Sequence, residues 1–459
     1  MRVYDDLYGL VEFNEYERQT IDHPMFQRLR RVKQLALAEY IFPGATHSRF
    51  SHSLGVADLM KRLASKVLGA SWERDDKDPR SPLSTLRMAA LLHDIGHLPL
   101  SHSLEDAYEA QIGYTSELPK ELTPLEAPKD ERQKLHELLS KLVITKSPLA
   151  ERLGELNFNA QDIGAIVTGG HQKILYNQLL HSDLDVDQMD YLLRDAKATG
   201  INYGEYNLSY LLNNIRQDKT THVLFVDEKA LHTVEHFILA KYFYFLQILY
   251  HKKRDIYERL AAVCAQWLIE DKELQLNLPS LTELPQCIKS GEFSHLDDHR
   301  FFAALRQFQK KLKENDIRRR ICSILLDRHH VGVLTTEKMV KVDILQPENE
   351  TEDAHAVIEN EYSQEMKALQ GQNLFEDTEL ENTSFSPFVR HEVSFYKPSS
   401  ETEKRKPEEG PNPETIKVGL GKRRALSEIN TLPQSMIPPL TEYITVLYRY
   451  YYYPDNLLR

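Results

Sequence analysis

Cysteine is scarce in this 459-residue chain: Cys264, Cys287 and Cys322 are the whole complement. Three widely spaced thiols supply neither a disulfide framework nor a zinc knuckle, and reduced thiols of a cytoplasmic protein are the expectation. Long apolar runs are missing too, and none approaches the roughly 18 residues needed to cross a bilayer. The opening MRVYDDLYGL lacks the basic flank and apolar stretch of a secretory signal, so no membrane partner is expected. Excess positive charge is also absent, the formal net charge being -12. Proteins that grip a nucleic-acid backbone usually present a basic surface, which argues against nucleic acid as the main partner. A local basic pocket for a small polyphosphate remains compatible with that balance.

The chain does carry an ordinary share of hydrophobic (41%) and charged (27%) residues, and nineteen histidines. A prior of about 150 residues per domain suggests roughly three domains. We expect an all-α fold: a catalytic core over 1–265, a helical extension over 266–345, a charged and weakly ordered arm over 346–435, and an aromatic segment over 436–459 that packs on the core or on a neighbouring subunit. The arm rests on composition. QPENETEDAHAVIENEYSQE is acidic and poor in core residues, and EKRKPEEGPNPETIKVGLGKRR is rich in Pro, Gly and charge. Its basic clusters Lys404–Lys406 and Lys422–Arg424 read as solvated charge.

Helical spacing of Phe50, Leu54, Ala57, Leu63 and Val67 predicts a helix over 50–68. STLRMAALLHD at 84–94 predicts a wholly buried helix ending in His-Asp, stopped by Gly96 and Pro99. A helix is expected from Asp185 to Thr199 with Gly200 as its stop. The aromatic stretch 231–263 reads as one long core helix or two abutting ones, a short β element is expected at His222–Val226, and 114–130 reads as an exposed loop or lid.

Four groups stand out chemically: His52, the adjacent pair His93–Asp94, and Asp187. Two imidazoles and two carboxylates suit one divalent ion per active site, of Mn, Fe, Ni, Co or Zn, with Mg less favoured by histidine. A His-Asp pair at the end of a buried helix is costly as structure alone, because a buried carboxylate needs a partner, and a cation supplies one.

HSRFSHSLG at 47–55, LLHDIGHLPLSH at 91–102 and DVDQMDYLLRD at 185–195 together resemble the HD-domain superfamily. More narrowly, residues 1–265 look like the deoxynucleoside triphosphate triphosphohydrolases, the bacterial enzymes and the core of the mammalian SAM-and-HD-domain enzyme. The resemblance implies a helical HD core whose metal is held by His52, His93, Asp94 and Asp187. It also implies cleavage of a dNTP to deoxynucleoside and inorganic triphosphate. Chemistry is compatible with this: a metal polarises a phosphoryl oxygen, and a triphosphate needs cationic neighbours. Arg49 lies one turn from His52 and can reach the same pocket, and Lys241 and Lys252 are further candidates. At Lys241 the family often has an arginine, and lysine keeps the charge but loses the bidentate fork.

Asp187, Tyr191 and Asp195 share a helix face, and by resemblance Tyr191 and Asp195 contact the sugar while Gln34 and Leu35 close on the deoxyribose. His102 is the candidate acid for the 5′-oxygen leaving group, since near-neutral histidines suit proton transfer. By resemblance it is oriented by His136 and Glu105, with Glu137 nearby and His97 beside the metal and the α-phosphate. Glu105 stands where the family often has aspartate. The segment DHPMFQRLR resembles the family's site for an activating guanine nucleotide, GTP or dGTP, with Asp22, Gln27 and Arg30 as its polar residues. The expected assembly is a homo-oligomer, dimer or tetramer, shifted by nucleotide through differential binding to two states. The alternatives are another HD phosphohydrolase acting on a nucleoside monophosphate, a cyclic dinucleotide or an alarmone, and a non-catalytic nucleotide sensor or scaffold.

Overall fold

Phe50, Leu54, Ala57, Leu63 and Ala64 form the buried stripe of helix α1 (Arg49–Leu68), which runs as the spacing predicts. Helix α2 (Pro82–Leu92) starts where the Ser81 side chain accepts the backbone N–H of Ser84 and Pro82 occupies the first turn. From Leu86 to Leu92 every side chain of α2 is buried, and each leucine contributes roughly 1.5 to 3 kcal/mol by leaving water. Next come α3 (His102–Ile112), α4 (Leu135–Lys146) and α5 (Val186–Thr199). Helix α5 is capped by Asp185, which accepts from Gln188 N–H, and ends at Gly200 as expected. The aromatic stretch is two helices, α6 (Leu231–Tyr244) and α7 (Lys252–Glu270), separated by a π turn at Phe245–Leu249. Helix α8 (Asp298–Lys311) belongs to the extension.

The computed structural model describes residues 1–69, 78–112, 119–126 and 134–333, and beyond them 338–343, 388–394, 416–420, 425–429, 432, 434–437 and 443–452. The all-α reading holds for the body of the chain, and among the described residues strands form three small sheets. Arg2–Asp5 and Gly9–Glu12 make an N-terminal hairpin. Leu224–Asp227, at the place of the expected short β element, pairs antiparallel with Ile215–Gln217 and parallel with Lys417–Leu420, which in turn pairs with Ala425–Glu428. Tyr443–Tyr452 pairs antiparallel with Lys338–Asp343, Phe388–Ser394 and Gly332–Val333. The described parts of the expected arm therefore contribute strands. Its acidic run and both basic clusters lie outside the described residues, as does most of the 114–130 loop, of which Lys120–Glu126 forms a 3-10 turn. No helix among the described residues is long and apolar enough to cross a membrane.

Two glycines decide how closely the helices approach. A Cβ on Gly55 of α1 would stand 2.1 Å from Asp190 Oδ1 and 2.4 Å from an Arg194 nitrogen, so only glycine lets α5 lie this close. A Cβ on Gly96 would stand 2.1 Å from the Ser140 nitrogen. There the backbone N–H of Gly96 donates to Ser140 Oγ (2.9 Å), which donates to the His93 carbonyl (2.7 Å), fastening the turn after α2 onto α4.

The extension reaches back into the core. Asp298 accepts the backbone N–H groups of Leu100 (2.8 Å) and Lys33 (3.0 Å). Leu100 and Ser101 both hold left-handed backbone, φ 54 and φ 52, which is strained for residues with a Cβ. Arg28, fully buried and lowered to about 9 by that burial against the pull of Asp297 and Asp298, donates to the carbonyls of Leu296 (3.0 Å), Ile95 (3.1 Å) and His97. Burial raises the Asp298 carboxyl to about 6, although both backbone donors work against the rise. A carboxyl raised in the folded state favours folding below its unfolded value near 4, and that contribution is lost as pH rises through about 6. We therefore expect Asp298→Asn to cost less at pH 7.5 than at pH 5, by about 1 kcal/mol. Urea unfolding at the two pH values measures it, and a cost that grows with pH would contradict the assignment.

Candidate metal centre and active site

His52 sits in the first turn of α1, His93 and Asp94 at the C-terminal end of α2, and Asp187 in the first turn of α5. The packing of α1 against α2 and α5 brings all four together. His52 Nε2 is 2.9 Å from Asp187 Oδ1, 3.3 Å from His93 Nε2 and 3.6 Å from Asp94 Oδ2. His93 Nε2 is 3.3 Å from Asp94 Oδ1 and 3.6 Å from Asp187 Oδ1. Donors each about 2.0 to 2.2 Å from one ion stand roughly 3.0 to 3.6 Å apart in octahedral or tetrahedral order, which is the spacing found here.

The second nitrogen of each imidazole is also accounted for. His93 Nδ1 faces the Ala90 carbonyl at 2.8 Å, and His52 Nδ1 faces Asp190 Oδ2 at 2.8 Å. Both partners are acceptors, so each ring keeps its proton on Nδ1 and presents a lone pair at Nε2. The donor set thus fits a divalent cation by spacing, tautomer and chemistry.

Burial works against a charged His52, but Asp187 and Asp190 outweigh it and push the imidazole up to about 10, so a cation binding here would displace the Nε2 proton. Burial likewise works against ionised Asp94 and Asp187. Arg49 and the neighbouring histidines hold Asp94 well below the usual carboxylate range, and His52 and His93 do the same for Asp187. Arg49 Nη1 donates to Asp94 Oδ2 at 2.5 Å and its Nε donates to Ser101 Oγ at 2.7 Å. It is buried beside the centre, as its place one turn from His52 predicts.

Beside this centre lies a histidine cluster. His97 Nε2 is 3.3 Å from Asp94 Oδ1, and its Nδ1 is 3.1 Å from Glu105 Oε1. His136 Nδ1 lies 3.0 Å from both Glu105 oxygens, and His102 Nδ1 lies 3.4 Å from Oε2. The His102 side chain is 60% exposed, whereas Glu105, His97 and His136 are buried. Burial, with the charges of Arg49 and His136, lowers His97 to about 3, so it is neutral at pH 7.

A cavity of about 630 Å³ opens onto His93, Asp94 and Asp187 of the centre and onto His136 of the cluster, a size suited to a small ligand; His97, His102 and Glu105 do not line it. His93, Asp94, His136, Asp187, Tyr191 and Lys241 line it, as do Lys134, Glu137, His181, Asp183 and Asp185. Tyr191 lies 5.2 Å from the Tyr244 ring, centroid to centroid. The remaining expected residues fall elsewhere. Asp195 is fully buried, with His47 Nε2 at 2.6 Å from Oδ1 and Tyr244 donating to Oδ2 at 2.7 Å. Gln34 and Leu35 run beside His47, whose carbonyl accepts Gln34 N–H (3.0 Å); Gln34 Oε1 is buried without a hydrogen-bond partner. Neither lines the cavity, and nor does Lys252, exposed in the first turn of α7. Asp22, Gln27 and Arg30 form a separate surface group. Asp22 pairs with Arg18 (2.8 Å), Arg30 donates to Gln27 (2.8 Å), and the Arg30 guanidinium lies 3.6 Å from the Phe50 ring centroid.

Sequence reasoning missed Asp190, Lys134, His181 and Asp185. Asp190 was within reach, because it lies three residues from Asp187 on neighbouring helix positions, and the structure buries it against His52 and Arg194. Burial and the Asp187 charge raise Asp185 to about 7. Lys134 and His181 carry no motif and reach the cavity only through the fold.

Residues 49–195 match the family model of the HD domain, so this chain carries an HD domain. Among curated relatives, an uncharacterized protein of Bacillus subtilis is 31% identical over 236 residues, covering 49% of this chain and 46% of its own length. An uncharacterized protein of Mycoplasma genitalium is 28% identical, covering 55% of this chain and 56% of its own. The chain spans about half the length of these relatives. The deoxynucleoside triphosphate triphosphohydrolase SAMHD1 of Bos taurus is 40% identical over 111 residues, 23% of this chain and 18% of that protein. The fold is similar to a crystal structure of a phosphohydrolase from Bacteroides thetaiotaomicron, with TM-score 0.68 and 21% identity over 99% of this chain and 100% of that one.

Asp190 touches no part of the cavity yet orients His52. Asp190→Asn should weaken binding of a divalent ion about 10- to 100-fold while leaving the helical content unchanged. Competition with a chromophoric chelator measures the affinity, and unaltered affinity in a folded variant would remove Asp190 from this role.

Proposed function

We propose that the chain is a metal-dependent phosphohydrolase that cleaves a dNTP to deoxynucleoside and inorganic triphosphate. One observation carries the reading: a four-donor cation centre touches a histidine–carboxylate cluster through His97 and Asp94 (3.3 Å), and one cavity meets that centre and His136. The partial similarity to proteins named deoxynucleoside triphosphate triphosphohydrolases supports the substrate class. Bound by His52, His93, Asp94 and Asp187, the ion supplies Lewis acidity toward a phosphoryl oxygen and lowers the pKa of water.

The residues of the chain do the rest. Lys241, and Lys134 at the cavity rim, hold phosphate oxygens by charge. Arg49 sets Asp94, and His97 faces the α-phosphate as a neutral imidazole. Water adds to the α-phosphorus, losing one proton to solvent, and the P–O5′ bond breaks. His102 gives the 5′ oxygen its proton, its ring oriented through Nδ1 by Glu105 with His136 behind. Tyr191 faces the sugar, with Tyr244 held beside it by Asp195, and a close-fitting wall of this kind disfavours the bulk of a 2′-hydroxyl. Gln34 and Leu35 support this wall from outside the cavity, beside the His47 that contacts Asp195. Lys252, expected as a phosphate contact, stands outside the cavity and has no part in this reading. Asp22, Gln27 and Arg30 take an activating GTP or dGTP at a subunit contact, and binding there favours a homotetramer over smaller species.

Incubating the metal-loaded protein with each dNTP and rNTP, with and without GTP, and resolving the products is the direct test. Deoxynucleoside and triphosphate are expected. Monophosphate with pyrophosphate, or turnover only of a monophosphate, cyclic dinucleotide or alarmone, overturns the dNTP reading, and tight binding without turnover favours a sensor. Asp187→Ala should abolish turnover and reduce metal content. His102→Ala should retain the metal and lower kcat about 10²- to 10⁴-fold. Wild-type turnover in His102→Ala would remove His102 as the acid.

A further inference from the structure

We infer that His97, His102, Glu105 and His136 form a second site for a borderline-soft divalent cation such as Zn²⁺ or Co²⁺, beside the first. One donor atom of each residue lies within 4.8 Å of the others. The three imidazoles all turn the same nitrogen, Nδ1, to the Glu105 carboxylate, at 3.1, 3.4 and 3.0 Å for His97, His102 and His136. For Zn–N and Zn–O bonds of about 2.0 to 2.2 Å, a tetrahedral edge is about 3.3 Å, close to these separations.

Hydrogen bonding alone leaves the arrangement incomplete. His136 makes a hydrogen bond to Glu105, but His97 Nδ1, buried and aimed at the same carboxylate, has no hydrogen-bond partner. The other nitrogen of His97 already faces the Asp94 carboxylate at 3.3 Å. A cation between His97 Nδ1 and Glu105 would give this buried nitrogen a partner and offset the carboxylate charge. Ring orientation fits this too. His97 and His136 stack at 4.0 Å and 15°, while His102 stands nearly perpendicular to each, at 89° and 75°, closing the third side. The exposure of the His102 side chain gives an ion a path from solvent. Three imidazoles and one carboxylate suit zinc or cobalt better than magnesium. With one negative charge against two in the first centre, this second site is the weaker one and fills at higher metal concentration. Binding here is read without substrate, although the proposed reaction uses the same four residues. Only the part the second ion would play beside a phosphate chain rests on that reading.

The test is metal stoichiometry of the full chain. The protein is stripped with a chelator, dialysed, and titrated with Co²⁺ and then Zn²⁺ in competition with a chromophoric chelator. Two ions per chain are expected for wild type. One is expected for Glu105→Gln, one for Asp187→Ala, and for His102→Ala a second ion bound at least tenfold more weakly. His102 is exposed, so its variant tests the site even if Glu105→Gln unfolds, and thermal melts report the fold of each. One ion per chain in wild type, lost in Asp187→Ala and kept in Glu105→Gln, overturns the second site and leaves the first intact. One ion lost in Glu105→Gln and kept in Asp187→Ala supports this site and counts against the first. Two ions in Glu105→Gln overturn the assignment.

Discussion

Carboxylates buried against imidazoles around a single point are the constraint on which the rest of this structure depends. Asp94 and Asp187 gain nothing from one another, and desolvation disfavours both as anions. Arg49 and the imidazoles offset that cost, a cation at their centre would offset it further, and the core keeps the four donors facing one point. The ends of three helices must meet for this to happen, and the two tight approaches, at Gly55 and Gly96, are where the fold makes room for them.

The supports come from well outside the HD segment. His52 is held by Asp190, which is held by Arg194 at 2.8 Å, which in turn binds Asp5 (2.9 Å) and Asp6 (3.0 Å) of the N-terminal hairpin. On the other side, Asp94 is held by Arg49, Arg49 by Ser101, and the strained turn at Leu100–Ser101 by Asp298 of the extension. Arg28 ties the carbonyls of Ile95 and His97 to that of Leu296. Residues 49–195 thus supply the ligands, while segments on either side fix their orientation. Orientation of this kind governs how tightly a site holds its ion.

The cavity is unusual for an anionic substrate. Asp94, Glu137, Asp183, Asp185 and Asp187 line it against two lysines, Lys134 and Lys241. On the proposed reading, a polyphosphate in such a pocket would need cations beside it, and Lys241, a point charge without a guanidinium fork, would steer while a bound ion carries most of the charge compensation.

Much of this was legible from the chain. The helical spacing that begins at Phe50, the buried run 84–92, the capping of Asp185 and the stop at Gly200 are local properties, decided by periodicity and backbone preference. His52, His93, Asp94 and Asp187 were legible because a carboxylate buried beside histidine calls for a cation to offset its desolvation. Only the tertiary structure decided that Asp195 is engaged by His47 and Tyr244, that Asp190 stands behind His52, and that Lys134 and His181 reach the cavity while Lys252 does not. Those facts depend on how far one helix is rotated and shifted against another, and such rotation is set by packing among residues hundreds of positions apart, such as Asp298 with Leu100. A sequence states which groups need partners, and the packed chain alone determines which partner each one receives.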